Sequence, residues 1–374
     1  MSTTNTATVT DLPAGTTRDD KYYWTDGNII LQAENTLFKV QRSMLTEMSP
    51  VLADLLQLPQ PEGSPENEGD SDASPVKLAG DTALQFRSLM WALYSRPDEV
   101  KKYLETSELE SRCCRLLDLV AITHKYQCPD LMNWALDLAS EACKAVEKPS
   151  AALVTVLIHL YRLDLQGFVE WAEPAVRRGH LSDVSLIKLA SASNWESVNS
   201  FAYYRIVCSG PSSWATLDLT PPERTRLLAG YINLNETWAI IDSKGPSVAH
   251  TCGASTLGLF AFGPCPAACT TVWNNICRSP RVVTVGLGNR DSTVDIQRRL
   301  AAAADLVDQA CAPIPTVDIS ISTYWSGIAC KSAFRDGVKA YSEKSEKMVQ
   351  LCFDPHSAAL DHVNWLSWLT TTML

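Results

Sequence analysis

The chain has 374 residues, 46% hydrophobic and 20% charged, an ordinary globular composition that rules out wholesale disorder and exceeds the roughly 100 to 200 residues of one usual domain. Its 42 acidic against 32 basic residues give a formal charge of −10, and Lys101 with Lys102, Arg177 with Arg178 and Arg298 with Arg299 are isolated pairs, so no basic face offers itself to nucleic-acid phosphate. No apolar run reaches the roughly 20 residues that span a bilayer; "AALVTVLIHLY" at 151–161 is interrupted by Thr155 and His159.

The first stretch, "MSTTNTATVTDLPAGTTRDD", carries neither a positive leader nor an apolar segment, so 1–21 reads as a disordered tail and not as a secretory signal. The twelve cysteines are scattered, and Cys113, Cys114, Cys143 and Cys208 stand among apolar, helix-like residues as reduced thiols do. An intracellular protein of the reducing cytoplasm or nucleus, without a disulfide framework, is expected.

In "DGNIILQAENTLFKV" the residues Ile29, Leu31 and Ala33 would point to one side of a strand, and Phe38 and Val40 to the matching side of the next. Glu34 and Asn35 supply the tight connection, with Asn35 taking the positive φ. "RSMLTEMSPVLADLLQL" then predicts two short helices, the second capped by Ser49 with Pro50 in its first turn. The acidic, proline- and glycine-rich run 59–75 predicts an exposed loop. A short strand "VKLA" follows, and then a helix with Leu84, Leu89, Met90 and Leu93 on one stripe and Asp81 as its cap.

A polar connection is expected over 96–109. Beyond it, Cys113, Leu116, Leu117, Val120, Ala121 and His124 recur at three- and four-residue steps of one helix, and Pro129 starts another with Leu131, Trp134, Ala135, Leu138 and Ala142 facing inward. Helical periodicity continues through 148–243, with a break at Thr220, Pro221 and Pro222. The remainder, 244–374, is mixed: 244–290 is rich in Gly, Pro, Ser and Cys, and helices resume at 291–311, 330–350 and 356–371.

The metal-like spacing of the chain lies in "HTCGASTLGLFAFGPCPAACTTVWNNIC", which offers His250, Cys252, Cys265, Cys269 and Cys277. Zinc needs four thiolate or imidazole ligands, usually from two chelating pairs. His250 with Cys252 is unusually tight for such a pair and Cys265 with Cys269 is loose, so buried thiols are the favoured reading. "VVTVGLGNRD" at 282–291 looks like a strand running into Gly286 and Gly288 ahead of a helix, but Asp291 takes the place of the third glycine of a dinucleotide fingerprint. "GASTLG" lacks the glycine two residues after the serine that a nucleophile elbow needs. His124 and His159 read as packing residues within helices rather than general bases. Trp171, Trp195, Trp238, Trp273, Trp325, Trp365 and Trp368 read as core, with partner anchoring as the alternative.

The succession of hairpin, two short helices, strand, helix, polar connection and two helices, carried by "DGNI", "LFKVQRSML", "SPVLADLL" and "LVAITHKYQCPDLMNWAL", resembles the BTB/POZ family, in the version abundant in mushroom-forming fungi, over 22–147. The resemblance implies an α+β domain, a small sheet flanked by a helical cluster, here followed by a mostly α-helical region. It implies protein binding without catalysis or cofactor: self-association, or an adaptor role that includes presenting substrates to cullin-type ubiquitin ligases. Gln41 stands where many relatives carry His. Tyr103, Leu104 and Glu105 match the apolar residue, any residue, then Glu of some cullin-binding relatives. An enzyme or zinc-binding protein with its site in 250–291 is the competing expectation.

Overall fold

The computed structural model describes residues 15–57, 67–214, 216–246, 248, 265–283, 294–311 and 330–353. Its contacts divide the chain into two compact units between Leu181 and Ser182. The first is α+β, with a small sheet followed by helices; the described part of the second is helical.

The alternating run from Ile29 folds as a hairpin: β2 (Ile29–Ala33) pairs antiparallel with β3 (Thr36–Val40), Leu31 opposite Phe38 and Ala33 opposite Thr36. The positive φ falls on Glu34, at 51°, and not on Asn35. Glu34 gains a partner there, because its carboxylate accepts from the backbone N–H of Ala83 at 3.0 Å. Gly27 of "DGNI" is needed for close approach, since a Cβ there would lie 2.8 Å from the backbone of Lys39. β1 (Thr17–Tyr23) pairs parallel with β3, and β4 (Val76–Lys77) parallel with β2, giving the order β1-β3-β2-β4. Residues 17–21, assigned to a disordered tail by their polarity, are therefore part of an edge strand, whose charged outer positions suit an edge.

The acidic run divides. Residues 58–66 lie outside the described residues, but 67–75 form an ordered turn, and Gly69 accepts from the N–H of Ile30 at 2.8 Å. Asp72 is buried there, where it accepts from the Arg18 guanidinium and the Tyr23 hydroxyl. Counting acids missed this because a paired carboxylate can be buried.

Two short helices follow the hairpin, α1 (Arg42–Met48) and α2 (Pro50–Gln57). Ser49 caps α2 as expected, accepting from Leu52 N at 3.0 Å while its hydroxyl donates to Tyr126 O at 2.6 Å. The next helix, α3 (Ala83–Tyr94), is capped by Thr82, which exchanges hydrogen bonds with Gln85. Asp81 serves elsewhere, receiving Lys125 Nζ at 2.7 Å and the Tyr126 hydroxyl. The buried stripe of α3 is Phe86, Leu89, Met90 and Trp91, and Leu84 is exposed.

The polar connection forms a helix, α4 (Pro97–Thr106), because proline at the first position and Asp98 and Glu99 in the first turn are what a helix N-terminus favours. Helices α5 (Leu109–Lys125) and α6 (Pro129–Ala145) pack as a pair through Cys113, Leu116, Val120, Ala135, Ala139 and Cys143. Helices α7 (Ala151–Leu160) and α8 (Phe168–Arg178) complete the unit.

The second unit holds α9 (Asp183–Ser193), α10 (Glu196–Cys208), the one-turn α11 (Pro211–Trp214) and the long α12 (Pro221–Lys244), which starts on a capping box of Thr220 and Glu223. It continues with α13 (Cys265–Arg278), the short α14 (Pro280–Val283), α15 (Ile296–Ala310) and α16 (Lys331–Cys352). Two helices thus occupy a stretch read as irregular, and Val282 and Val283 are helical where a strand was expected. The helix expected at 356–371 lies outside the described residues.

Candidate protein-interaction surface

The side chains that the resemblance singles out, Tyr103, Leu104 and Glu105, lie on α4, a helix and not a loop. The Tyr103 ring packs on Trp91 at the end of α3, with centroids 5.1 Å apart. Arg115 of α5 closes the corner: its guanidinium carbon sits 4.4 Å from the Tyr103 ring centre and 5.5 Å from that of Trp91, a cation–π arrangement that fixes α4 against α3 and α5. Leu104 is half-buried, and Glu105 is exposed, its carboxylate 3.9 Å from Lys101 Nζ. An exposed pair at that distance holds neither side chain firmly, so Glu105 is available to a partner.

Trp134 of α6 extends the aromatic surface. Its ring lies 6.3 Å from Trp91 and 37% of the residue is exposed, which corrects the inward orientation expected from helical spacing. The small residues Ala135, Ala139 and Ala142 take the buried positions instead, because α6 lies too close to α5 for indole. One turn beyond Arg115, burial pushes the Asp118 carboxyl up to about 6, with Arg115 opposing in part. None of Trp91, Arg115, Asp118 or an outward Trp134 was singled out by the sequence reading. The available signal was the three-residue step from Arg115 to Asp118 within the apolar middle of α5.

The Gln41 amide donates to Asp26 at 3.2 Å and its carbonyl accepts from the Tyr94 hydroxyl at 3.3 Å. The amide therefore links the turn before β2 to α3 without an imidazole.

The metal candidates divide. His250 and Cys252 lie outside the described residues, and Cys265 opens α13. Cys269 and Cys277 are buried on that helix. Burial and the Asp242 carboxylate push the Cys277 thiol up. Among the described residues no three His, Cys, Asp or Glu side chains converge to hold a metal ion. Gly286, Gly288, Asp291 and the "GASTLG" segment also lie outside the described residues.

His124 and His159 are exposed, which corrects their reading as packing residues. Trp171, Trp195 and Trp273 are core residues as expected, and Trp273 Nε1 donates to Ile241 O at 2.8 Å. Trp238 is half-buried under the Arg299 guanidinium, 4.4 Å from the ring centre. Trp325, Trp365 and Trp368 lie outside the described residues. Among the described residues no helix is long and apolar enough to cross a membrane.

No protein-family model, curated protein or solved structure matches the chain.

Proposed function

We propose that residues 22–147 act as a BTB/POZ-like protein-interaction module and that the chain is a non-catalytic adaptor or scaffold of a reducing, intracellular compartment. The observation that carries this reading is the surface of Tyr103, Arg115 and the exposed Trp134, set around the buried Trp91, with Leu104 and Glu105 beside it. Aromatic side chains held rigid by neighbours lose little entropy on binding and dominate protein interfaces. A small sheet with a helical cluster in the expected order supports the resemblance. The module would bury an apolar patch against a second copy or a cullin scaffold, and an interface of about 1,600 Å² suffices for stable association.

The test measures the mass of the full chain by light scattering at micromolar concentration, and its binding to a purified cullin N-terminal domain by calorimetry. Self-association or cullin binding is expected, weakened roughly tenfold by the double substitution Leu104→Ala and Glu105→Lys. A monomer that binds no cullin sinks the reading.

A further inference from the structure

On α6, Asp130, Trp134, Asp137 and Glu141 recur at steps of four, three and four, which sets them along one stripe of the helix that a single cation, the exposed Lys144, ends three residues further on. All four are exposed. The stripe runs about 16 Å from first to last. No ion pair among the described residues engages any of the three carboxylates. A tryptophan left partly in water in the middle of such a stripe adds apolar contact area to its charge, the combination found at interface anchors.

The sign of the stripe selects its occupant. A second copy presenting the same face would bring carboxylates against carboxylates, and nucleic-acid phosphate is repelled for the same reason. We propose that this face of α6 docks a basic segment of a partner protein, whose lysines or arginines meet Asp130, Asp137 and Glu141 while an aliphatic or guanidinium group packs on the Trp134 ring. A cation over indole gains most when water is excluded, so Trp134 confers specificity and the carboxylates steer the approach. The inference rests on the interaction reading above and shares Trp134 with it, but uses the carboxylates of α6 rather than Leu104 and Glu105.

The probe is a helical peptide of leucine, lysine and arginine with its cations three and four residues apart, titrated calorimetrically into the full chain. Trp134→Ala, and separately the triple substitution Asp130→Asn, Asp137→Asn and Glu141→Gln, are each expected to weaken binding roughly tenfold. Neutralising three exposed acids of the second unit, Asp305→Asn, Asp336→Asn and Glu343→Gln, makes the same change in net charge and is expected to leave the Kd within about twofold. Circular dichroism confirms that each variant is folded. Loss of peptide binding in the second-unit triple equal to that in the α6 triple would reduce the effect to net charge and overturn the proposal, as would unchanged binding in Trp134→Ala or no binding by the natural chain. Leu104→Ala with Glu105→Lys is expected to keep the peptide while weakening the association described above roughly tenfold, which separates failure of one reading from failure of the other.

Discussion

In the N-terminal unit the buried carboxylates of Asp19, Asp72 and Asp81 each meet a cation, Arg87, Arg18 and Lys125, whose own side chain stays about two-fifths exposed. In the C-terminal unit the buried Asp295 pairs with a cation three residues along its own helix, Arg298, with Nε 3.5 Å away, and also accepts from the phenol of Tyr204 at 2.7 Å and from the backbone N–H of Arg298 at 3.2 Å. Burial pushes the Tyr204 hydroxyl far up, so it donates as a neutral group throughout the accessible pH range. The first unit ties sheet, turn and helices together with long-range pairs that span up to 68 residues of sequence. The second pairs Asp295 with a neighbour one turn along α15 and adds a tie to α10 through the Tyr204 phenol. A buried charge is costly to orphan when its partners lie far along the chain and are lost together, whereas removing the Tyr204 phenol leaves Asp295 its partner in the next turn.

The largest effect that would break this contrast is at Asp81. Asp81→Ala leaves the buried Tyr126 hydroxyl without its acceptor and releases Lys125, and a loss of about 3 kcal/mol is expected in chemical denaturation. Hydrogen exchange should rise along α3 and α5, and an unchanged denaturation midpoint would show that the pair contributes nothing. Tyr204→Phe in the second unit removes the donor to Asp295 and the acceptor for Gln297 N but leaves the Arg298 N–H cap, so a smaller loss of about 1 to 2 kcal/mol is expected. If it exceeded the loss at Asp81, the ranking of the two devices would be reversed.

A gain is expected at Asp118. Its pKa is raised from 3.8 to about 6, so between those values the folded chain binds more protons than the unfolded one, and the carboxylate weakens stability as pH rises through that window. Asp118→Asn should therefore stabilise the chain by about 1 kcal/mol at pH 7, after allowance for partial solvent screening and the lost attraction to Arg115, and the difference should vanish below about pH 4. Parallel melting curves across pH decide it; a variant less stable at neutral pH would mean that the pairing with Arg115 outweighs burial. The smallest effect falls on Trp134: Trp134→Ala should change stability by no more than about 0.5 kcal/mol, because part of the ring already lies in water, yet abolish most peptide affinity. A large stability loss would make Trp134 a core residue.

Much of the architecture was legible because it is local. The two-residue alternation from Ile29 to Val40, the Ser49 cap before Pro50 and the apolar periodicity of α5 each depend on neighbours a few positions away. Errors came where a residue had a distant claim on it. Asp81 fits an N-cap by type, but Lys125 and Tyr126 take its carboxylate and Thr82 caps α3. Residues 67–75 have a loop's composition, but Arg18 and Tyr23 recruit Asp72 and order the turn. The segment at 97–106 was passed over because its apolar stripe is only Val100, Tyr103 and Leu104 among charged residues, although its proline and acids marked a helix start.

The sequence by itself determined the hairpin from Ile29 to Val40, the two short helices after it and the helices α5 and α6, because backbone propensity and residue periodicity act within a few turns of chain. Only the tertiary structure decided which face of α6 meets solvent, since Trp134 and Ala135 are adjacent in sequence and the close approach of α5 admits the methyl group and turns the indole outward. The same holds for the corner where Arg115 meets Trp91 and Tyr103. Side chains from three helices converge there, and their meeting depends on helix packing rather than on spacing along the chain.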